Sequence, residues 1–185
     1  MRCRLVGSEM CIRDSSLTGG AGNDTFNIDS GTDIITDLST GDIVVISNGA
    51  SLNVTGITGF VATNASSNAN ASATSANLTA ASGTVTIDMS DSTGKYTITG
   101  GSGDNTLKAG KQDSVVKGES GNDIIVGDAG ADTLTGGAGN DTFTGNAGND
   151  TFNIDSGTDI INDLGGSSGS DTDILVVSSG ATVNA

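Results

Sequence analysis

Residues 136–144 read GGAGNDTFT, and residues 145–153 follow as GNAGNDTFN. Glycine stands early in each block, aspartate at the sixth place and an apolar residue at the eighth. The register extends well beyond these two blocks. From Gly100, seven blocks run without a gap: GGSGDNTLK, AGKQDSVVK, GESGNDIIV, GDAGADTLT, GGAGNDTFT, GNAGNDTFN and IDSGTDIIN, ending at Asn162. A shorter array starts at Gly19 with GGAGNDTFN, IDSGTDIIT and DLSTGDIVV, ending at Val45. The eighth place is always apolar: Phe26, Ile35, Val44, Leu107, Val116, Ile125, Leu134, Phe143, Phe152 and Ile161. The sixth place is acidic in eight of ten blocks: Asp24, Asp33, Asp42, Asp123, Asp132, Asp141, Asp150 and Asp159, with Asn105 and Ser114 as the exceptions.

A nine-residue period excludes helix, as does the load of 29 glycines. Each block reads as a six-residue turn followed by a three-residue strand. On a strand the central residue points opposite to its two neighbours, so one apolar side chain per block faces inward. Two blocks close one coil of eighteen residues, and stacked coils bring equivalent strands to about 4.8 Å, the hydrogen-bonding distance of a sheet. The expected fold is all-β: a parallel β-roll, or β-solenoid, with a narrow apolar seam and an irregular β insert. Glycine serves the reversals, because tight turns and close backbone approach are cheapest without a Cβ.

The aspartates set an electrostatic problem. Asp123 and Asp141, Asp132 and Asp150, Asp141 and Asp159, and Asp24 and Asp42 are each eighteen residues apart and fall one coil above the other. Two carboxylates about 5 Å apart repel by roughly 0.8 kcal/mol in water and roughly 3 kcal/mol at an effective dielectric of 20. A hard dication between coils reverses that sign. Ca²⁺ accepts six to eight oxygen ligands in flexible geometry, backbone carbonyls included, whereas Mg²⁺ demands a stricter octahedron. Metal-free Asx turns explain the turns but not an acid at one fixed place per block.

The blocks resemble the glycine-rich nonapeptide G-G-x-G-x-D-x-U-x of the repeats-in-toxin (RTX), haemolysin-type calcium-binding family. The resemblance covers residues 19–45 and 100–162. It implies Ca²⁺ held between coils by the sixth-place aspartates and by turn carbonyls, so the metal-site expectation is Asp24, Asp33, Asp42, Asp123, Asp132, Asp141, Asp150 and Asp159. It also implies type I export, with the chain unfolded in low-calcium cytosol and folded outside. Two blocks depart from the pattern: Asp104 and Asp113 stand one place early, so calcium is expected to be held best between 118 and 159 and weakly or not at all over 100–117. Blocks 28–36 and 154–162 lack the leading glycines.

Composition narrows the remaining classes. There is no histidine, so no Ser-His-Asp triad, no HExxH zinc site and no histidine general base exist within the chain. The formal charge of −15 disfavours nucleic acid, which requires a cationic surface. No apolar run is long enough to cross a membrane. Residues 1–15, MRCRLVGSEMCIRDS, hold both cysteines and all three arginines. That break reads as an artefact or a disordered terminus, and the stretch resembles a translated sequencing adapter.

A second, longer repeat is visible. GNDTFNIDSGTDIITDL at 22–38 returns as GNDTFNIDSGTDIINDL at 148–164, with Thr36 replaced by Asn162. The expected organisation is a short array at 16–45, an irregular β-rich spacer at 46–99, the main array at 100–162 and the start of a second spacer at 163–185. The spacer reads either as further solenoid coils or as a small sandwich-like insert. The functional expectation is a non-enzymatic calcium-binding fragment of a large secreted bacterial repeat protein, a structural or adhesin-like spacer placed outside the cell, with cell-surface or matrix contacts made by the full-length protein. The rival reading is the calcium-dependent secretion or folding module of an exported hydrolase or toxin whose catalytic domain lies elsewhere.

Overall fold

The computed structural model describes residues 2–4, 15–62, 65–69, 76–165 and 171–185. Every element among them is a β-strand and every strand pair is parallel. The first face of the coil is one continuous sheet of β1 (Arg2–Arg4), β2 (Ser16–Thr18), β4 (Gly31–Ile35), β6 (Ala50–Ile57), β9 (Ala76–Ala80), β11 (Thr97–Thr99), β13 (Val115–Ser120), β15 (Thr133–Ala138), β17 (Thr151–Ile154) and β19 (Ile174–Val177). The second face of the main array is β7 (Phe60–Val61), β10 (Thr86–Asp88), β12 (Thr106–Lys108), β14 (Ile124–Val126), β16 (Thr142–Thr144), β18 (Thr158–Ile161) and β20 (Thr182–Asn184). A third, shorter sheet holds β3 (Thr25–Ile28), β5 (Ile43–Ile46) and β8 (Ser67–Asn68). The chain is a β-solenoid, as the nine-residue register predicts.

The eighteen-residue coil appears directly as strand register. Val116 lies against Leu134 and Leu134 against Phe152 on the first face, and Leu107 against Ile125 and Ile125 against Phe143 on the second. All ten eighth-place side chains are buried, from 0 to 3% exposed, while their strand neighbours alternate outward. Phe143 and Phe152 meet edge to face across the seam, with ring centroids 6.1 Å apart. One apolar residue per block is therefore enough, because each closes against its counterparts above, below and opposite.

The spacer continues the solenoid with wider coils rather than forming a sandwich. β6, β9 and β11 stay in the first sheet, where Val54 pairs with Leu78 and Leu78 with Ile98. Its core is Leu52, Val54, Ile57, Phe60, Leu78, Val85, Ile87, Met89, Tyr96 and Ile98. The buried Tyr96 hydroxyl shares a 2.6 Å hydrogen bond with Ser92, whose Oγ also bonds the Ser66 carbonyl at 2.7 Å. Part of the NASSNANASATSAN stretch lies outside the described residues. Within the first fifteen residues, 2–4 pair with β2 as the terminal strand, and 1 and 5–14 lie outside the described residues.

The wider coils shift the phase of the long repeat. TFNI forms β3, in the third sheet, at 25–28 and β17, in the first sheet, at 151–154; TDII follows suit in β4 and then β18. Identical nonapeptides thus occupy opposite faces, which is permitted because each half-coil has the same inward and outward pattern.

Candidate metal centre in the stacked turns

The glycines of the turn have two separate causes. The second and fourth places are left-handed: Gly137 has φ 98° and Gly139 φ 137°. Glu119, Asp128 and Asn146 occupy the same second place at φ 77°, 72° and 70°, so a side chain is tolerated there at some cost in strain. The first-place glycine is needed for room. A Cβ on Gly118, Gly127, Gly136 or Gly145 would collide with Oδ2 of the sixth-place aspartate in its own block.

That aspartate is turned inward. Asp123, Asp132, Asp141, Asp150 and Asp159 are at most 1% exposed. Each reaches back one coil with one oxygen. Asp141 Oδ1 accepts from the Asp123 amide at 2.8 Å, Asp159 Oδ1 from Asp141 at 2.7 Å, and Asp150 Oδ1 from Asp132 at 2.8 Å. Asp123 and Asp132 accept in the same way from Asn105 and Ser114, at 2.7 and 2.6 Å. In the first array Asp33 accepts from Ser15 and Asp42 from Asp24, at 2.8 and 2.9 Å. The fifth place points the other way: Asn122 Oδ1 accepts from the Asn140 amide at 2.9 Å, and Asn140 Oδ1 from Thr158 at 2.8 Å. The Asn-Asp dipeptide is a two-way clamp, one side chain reaching to the coil ahead and the other to the coil behind. Asp104 and Asp113 do the fifth-place work, accepting from Asn122 at 2.7 Å and Ala131 at 3.1 Å.

The second carboxylate oxygen is the unusual atom. Oδ2 of Asp24, Asp123, Asp132, Asp141 and Asp150 is buried and has no hydrogen-bond donor. The two neutral sixth-place residues show what belongs there. Asn105 Oδ1 accepts from the Val85 amide at 3.0 Å, as aspartate would, and its Nδ2 donates to the Gly103 carbonyl at 2.6 Å. Ser114 Oγ accepts from Tyr96 at 3.2 Å and donates to the Gln112 carbonyl at 2.7 Å. Gly103 and Gln112 both hold the fourth place. Asn105 Nδ2 also occupies the space above its first-place glycine that Oδ2 fills elsewhere. In the aspartate blocks an oxygen therefore replaces a donor, and two acceptors are left facing a shared gap.

Burial and mutual repulsion raise these carboxyls. Asp132 is pushed up to about 8, by desolvation first and then by Asp150, Asp113 and Asp128. Asp141 is pushed up to about 6, by desolvation and by Asp123 and Asp159. Asp123, Asp150 and Asp159 also move upward, chiefly through burial. A buried anion that lacks donors needs a proton or a metal cation. The donor set, carboxylate plus turn carbonyl with no nitrogen or sulfur, suits a hard dication. Among the described residues no three acidic side chains converge on one point, so main-chain carbonyls would have to supply much of any ion's shell.

Residues 13–35, 99–134 and 126–161 match the model of the RTX calcium-binding nonapeptide repeat. The chain carries RTX repeats. No curated protein and no solved structure matches it.

The RTX positions do not stand alone. Asp37 and Asp163, each just beyond a block pair, accept from two successive amides: Gly19 and Gly20 at 3.1 and 2.8 Å, and Gly145 and Asn146 at 2.8 and 2.6 Å. Asp173 takes over the sixth-place role for Asp150 at 2.9 Å, beyond the last full repeat. The sequence marks Asp37 and Asp163 only through the identical position they hold in the long repeat. Asp42 differs from the other site aspartates, because its Oδ2 is bonded by the Ser39 amide and hydroxyl at 2.8 and 3.1 Å.

Proposed function

We propose that this chain is a calcium-stabilised structural spacer, with ions held between coils by the sixth-place aspartates. The buried, donor-less Oδ2 row carries the reading. Asp123, Asp132, Asp141 and Asp150 are the main carboxylate ligands, with Asp24, Asp33, Asp42 and Asp159 at the margins of the two arrays. Ca²⁺ supplies positive charge where the neutral blocks have an N–H or O–H donor. The chain's own residues hold the coils in register and keep water away. Binding free energy becomes folding free energy, because the unfolded chain offers no such cage. The protein is proposed to be secreted or surface-associated, part of an adhesin-like bacterial repeat protein exported by a type I system. The RTX β-roll is a structural calcium-binding domain, and no feature of the chain points to catalysis.

Thermal melting of the full chain tests the reading. Millimolar calcium should raise the melting temperature by 10 °C or more, about the effect of a few kcal/mol on a domain of this size, and magnesium should do much less. Equal melting curves with calcium and with chelator would contradict it.

A further inference from the structure

The neutral blocks form a continuous region. Between Ala76 and Lys117 lie four acids, Asp88, Asp91, Asp104 and Asp113, and four lysines, Lys95, Lys108, Lys111 and Lys117. These are all the lysines in the chain. The next 45 residues, 118–162, carry eight acids and no cationic side chain; residues 16–75 carry five acids and none. Within 76–117 the charges are paired: Lys95 Nζ lies 2.7 Å from Asp113, and Lys108 Nζ 2.8 Å from Asp88. Lys95 draws the Asp113 carboxyl downward; for Asp88, burial pushes up, but bonds from Lys108 and Ser90 outweigh it. Both sixth-place residues here, Asn105 and Ser114, are fully paired with neutral partners. Thr97 Oγ1 lacks a partner but bears no charge.

The region also has its own core. β9, β11 and β13 stack on one face and β10 and β12 on the other. They enclose Leu78, Val85, Ile87, Met89, Tyr96, Ile98, Leu107 and Val116. Solenoids gain stability coil by coil, and folding can start at any sufficiently stable coil and spread.

We propose that residues 76–117 are a calcium-independent seed, onto which the calcium-requiring coils of the two arrays add. The proposal rests on the calcium reading above. Without the ion, the coils on either side carry stacked buried carboxylates with no counter-charge, while the seed has none. Calcium would then extend a pre-existing stub rather than nucleate folding from a fully unfolded chain. Extension has no nucleation cost, so each added coil needs only its own ion.

Hydrogen–deuterium exchange of the full chain at pH 7.5 tests this, with strand amides read by peptide mass spectrometry in EGTA and in calcium. In EGTA, 97–99, 106–108 and 115–117 should exchange at least about tenfold more slowly than 124–126, 142–144 and 151–154; calcium should protect the second group. Exchange of all six segments together in EGTA, with joint protection in calcium, would overturn the seed and leave the calcium reading intact. Full protection of all six in EGTA, unchanged by calcium, would overturn both. Two variants sharpen the result. Asp123→Asn restores a donor at the sixth place and should extend protection in EGTA to 124–126. Asn105→Asp with Ser114→Asp should abolish seed protection in EGTA and regain it in calcium. Wild-type exchange in both variants would overturn the proposal.

Discussion

At the scale of the residue, the sixth-place aspartate does two jobs with two oxygens. Asp141 Oδ1 closes a hydrogen bond to the coil behind, and the Asp141 amide serves Asp159 of the coil ahead. Asp141→Ala removes the acceptor of a buried amide and a ligand at once. It should cost about 1–3 kcal/mol from the orphaned amide alone and raise the calcium concentration needed for folding. Asp113→Ala removes a half-exposed ion pair with Lys95, worth at most about 1 kcal/mol. Calcium titrations of the two variants, followed by far-UV circular dichroism, should separate them; coincident midpoints would contradict the assigned roles. The first-place glycine gives a second prediction. Gly136→Ala places a Cβ against Asp141 Oδ2 and the Phe143 ring and should destabilise by about 1–3 kcal/mol. Ala109 is the natural precedent for alanine at this place, and its block has Ser114 at the sixth. Gly136→Ala combined with Asp141→Ser should therefore melt closer to wild type, in chelator, than Gly136→Ala alone. A double variant less stable than the single would contradict the steric account.

At the scale of the element, the half-coil is the unit, and most of it was legible in the sequence. The eighth-place apolars are the seam and the eighteen-residue spacing is the strand register. What the sequence hid was direction. Fixed spacing shows that Asn122 and Asp123 recur, but not that one side chain reaches forward and the other back. The glycine pattern likewise merges two demands, left-handed backbone at places two and four and empty space at place one. Packing follows the usual arithmetic: Phe152→Ala opens a cavity beside Phe143 and should cost about 3–5 kcal/mol, read as a lower melting temperature in calcium. The carboxyl rows predict a pH dependence in the absence of metal. Asp132 and Asp141 are raised, to about 8 and about 6, above their model value of 3.8. The folded state thus binds protons more tightly than the unfolded one, and this contribution to stability is complete below about pH 4 and lost as pH rises through 6 to 8. In EGTA the β signal should weaken from pH 5 to pH 8.5, and calcium should remove that loss. Stability in EGTA that rises over the same range would contradict the assignment.

At the scale of the whole molecule, the solenoid is continuous from β2 to β20 although its sequence register is not. Residues 46–99 lack the nonapeptide, and nothing in their alternation of apolar residues with Thr, Ser and Asn distinguishes a wide coil from a separate sandwich. The structure resolves this through sheet continuity: β6, β9 and β11 carry the first face across the gap. The opposite facing of the two TFNI copies was also hidden, since it depends on coil lengths within the spacer. Charge is distributed on the same scale, with a neutral middle between acidic arrays, and the account turns on what neutralises those arrays. The most direct measurement is metal content and fold on one sample: the full chain dialysed exhaustively against chelator at pH 7.5, then titrated with calcium while far-UV circular dichroism and bound ion are both recorded. The account predicts reduced β signal in the ion-free protein and its recovery in step with calcium uptake. Full β signal with no ion retained, and no further change on adding calcium, would contradict it.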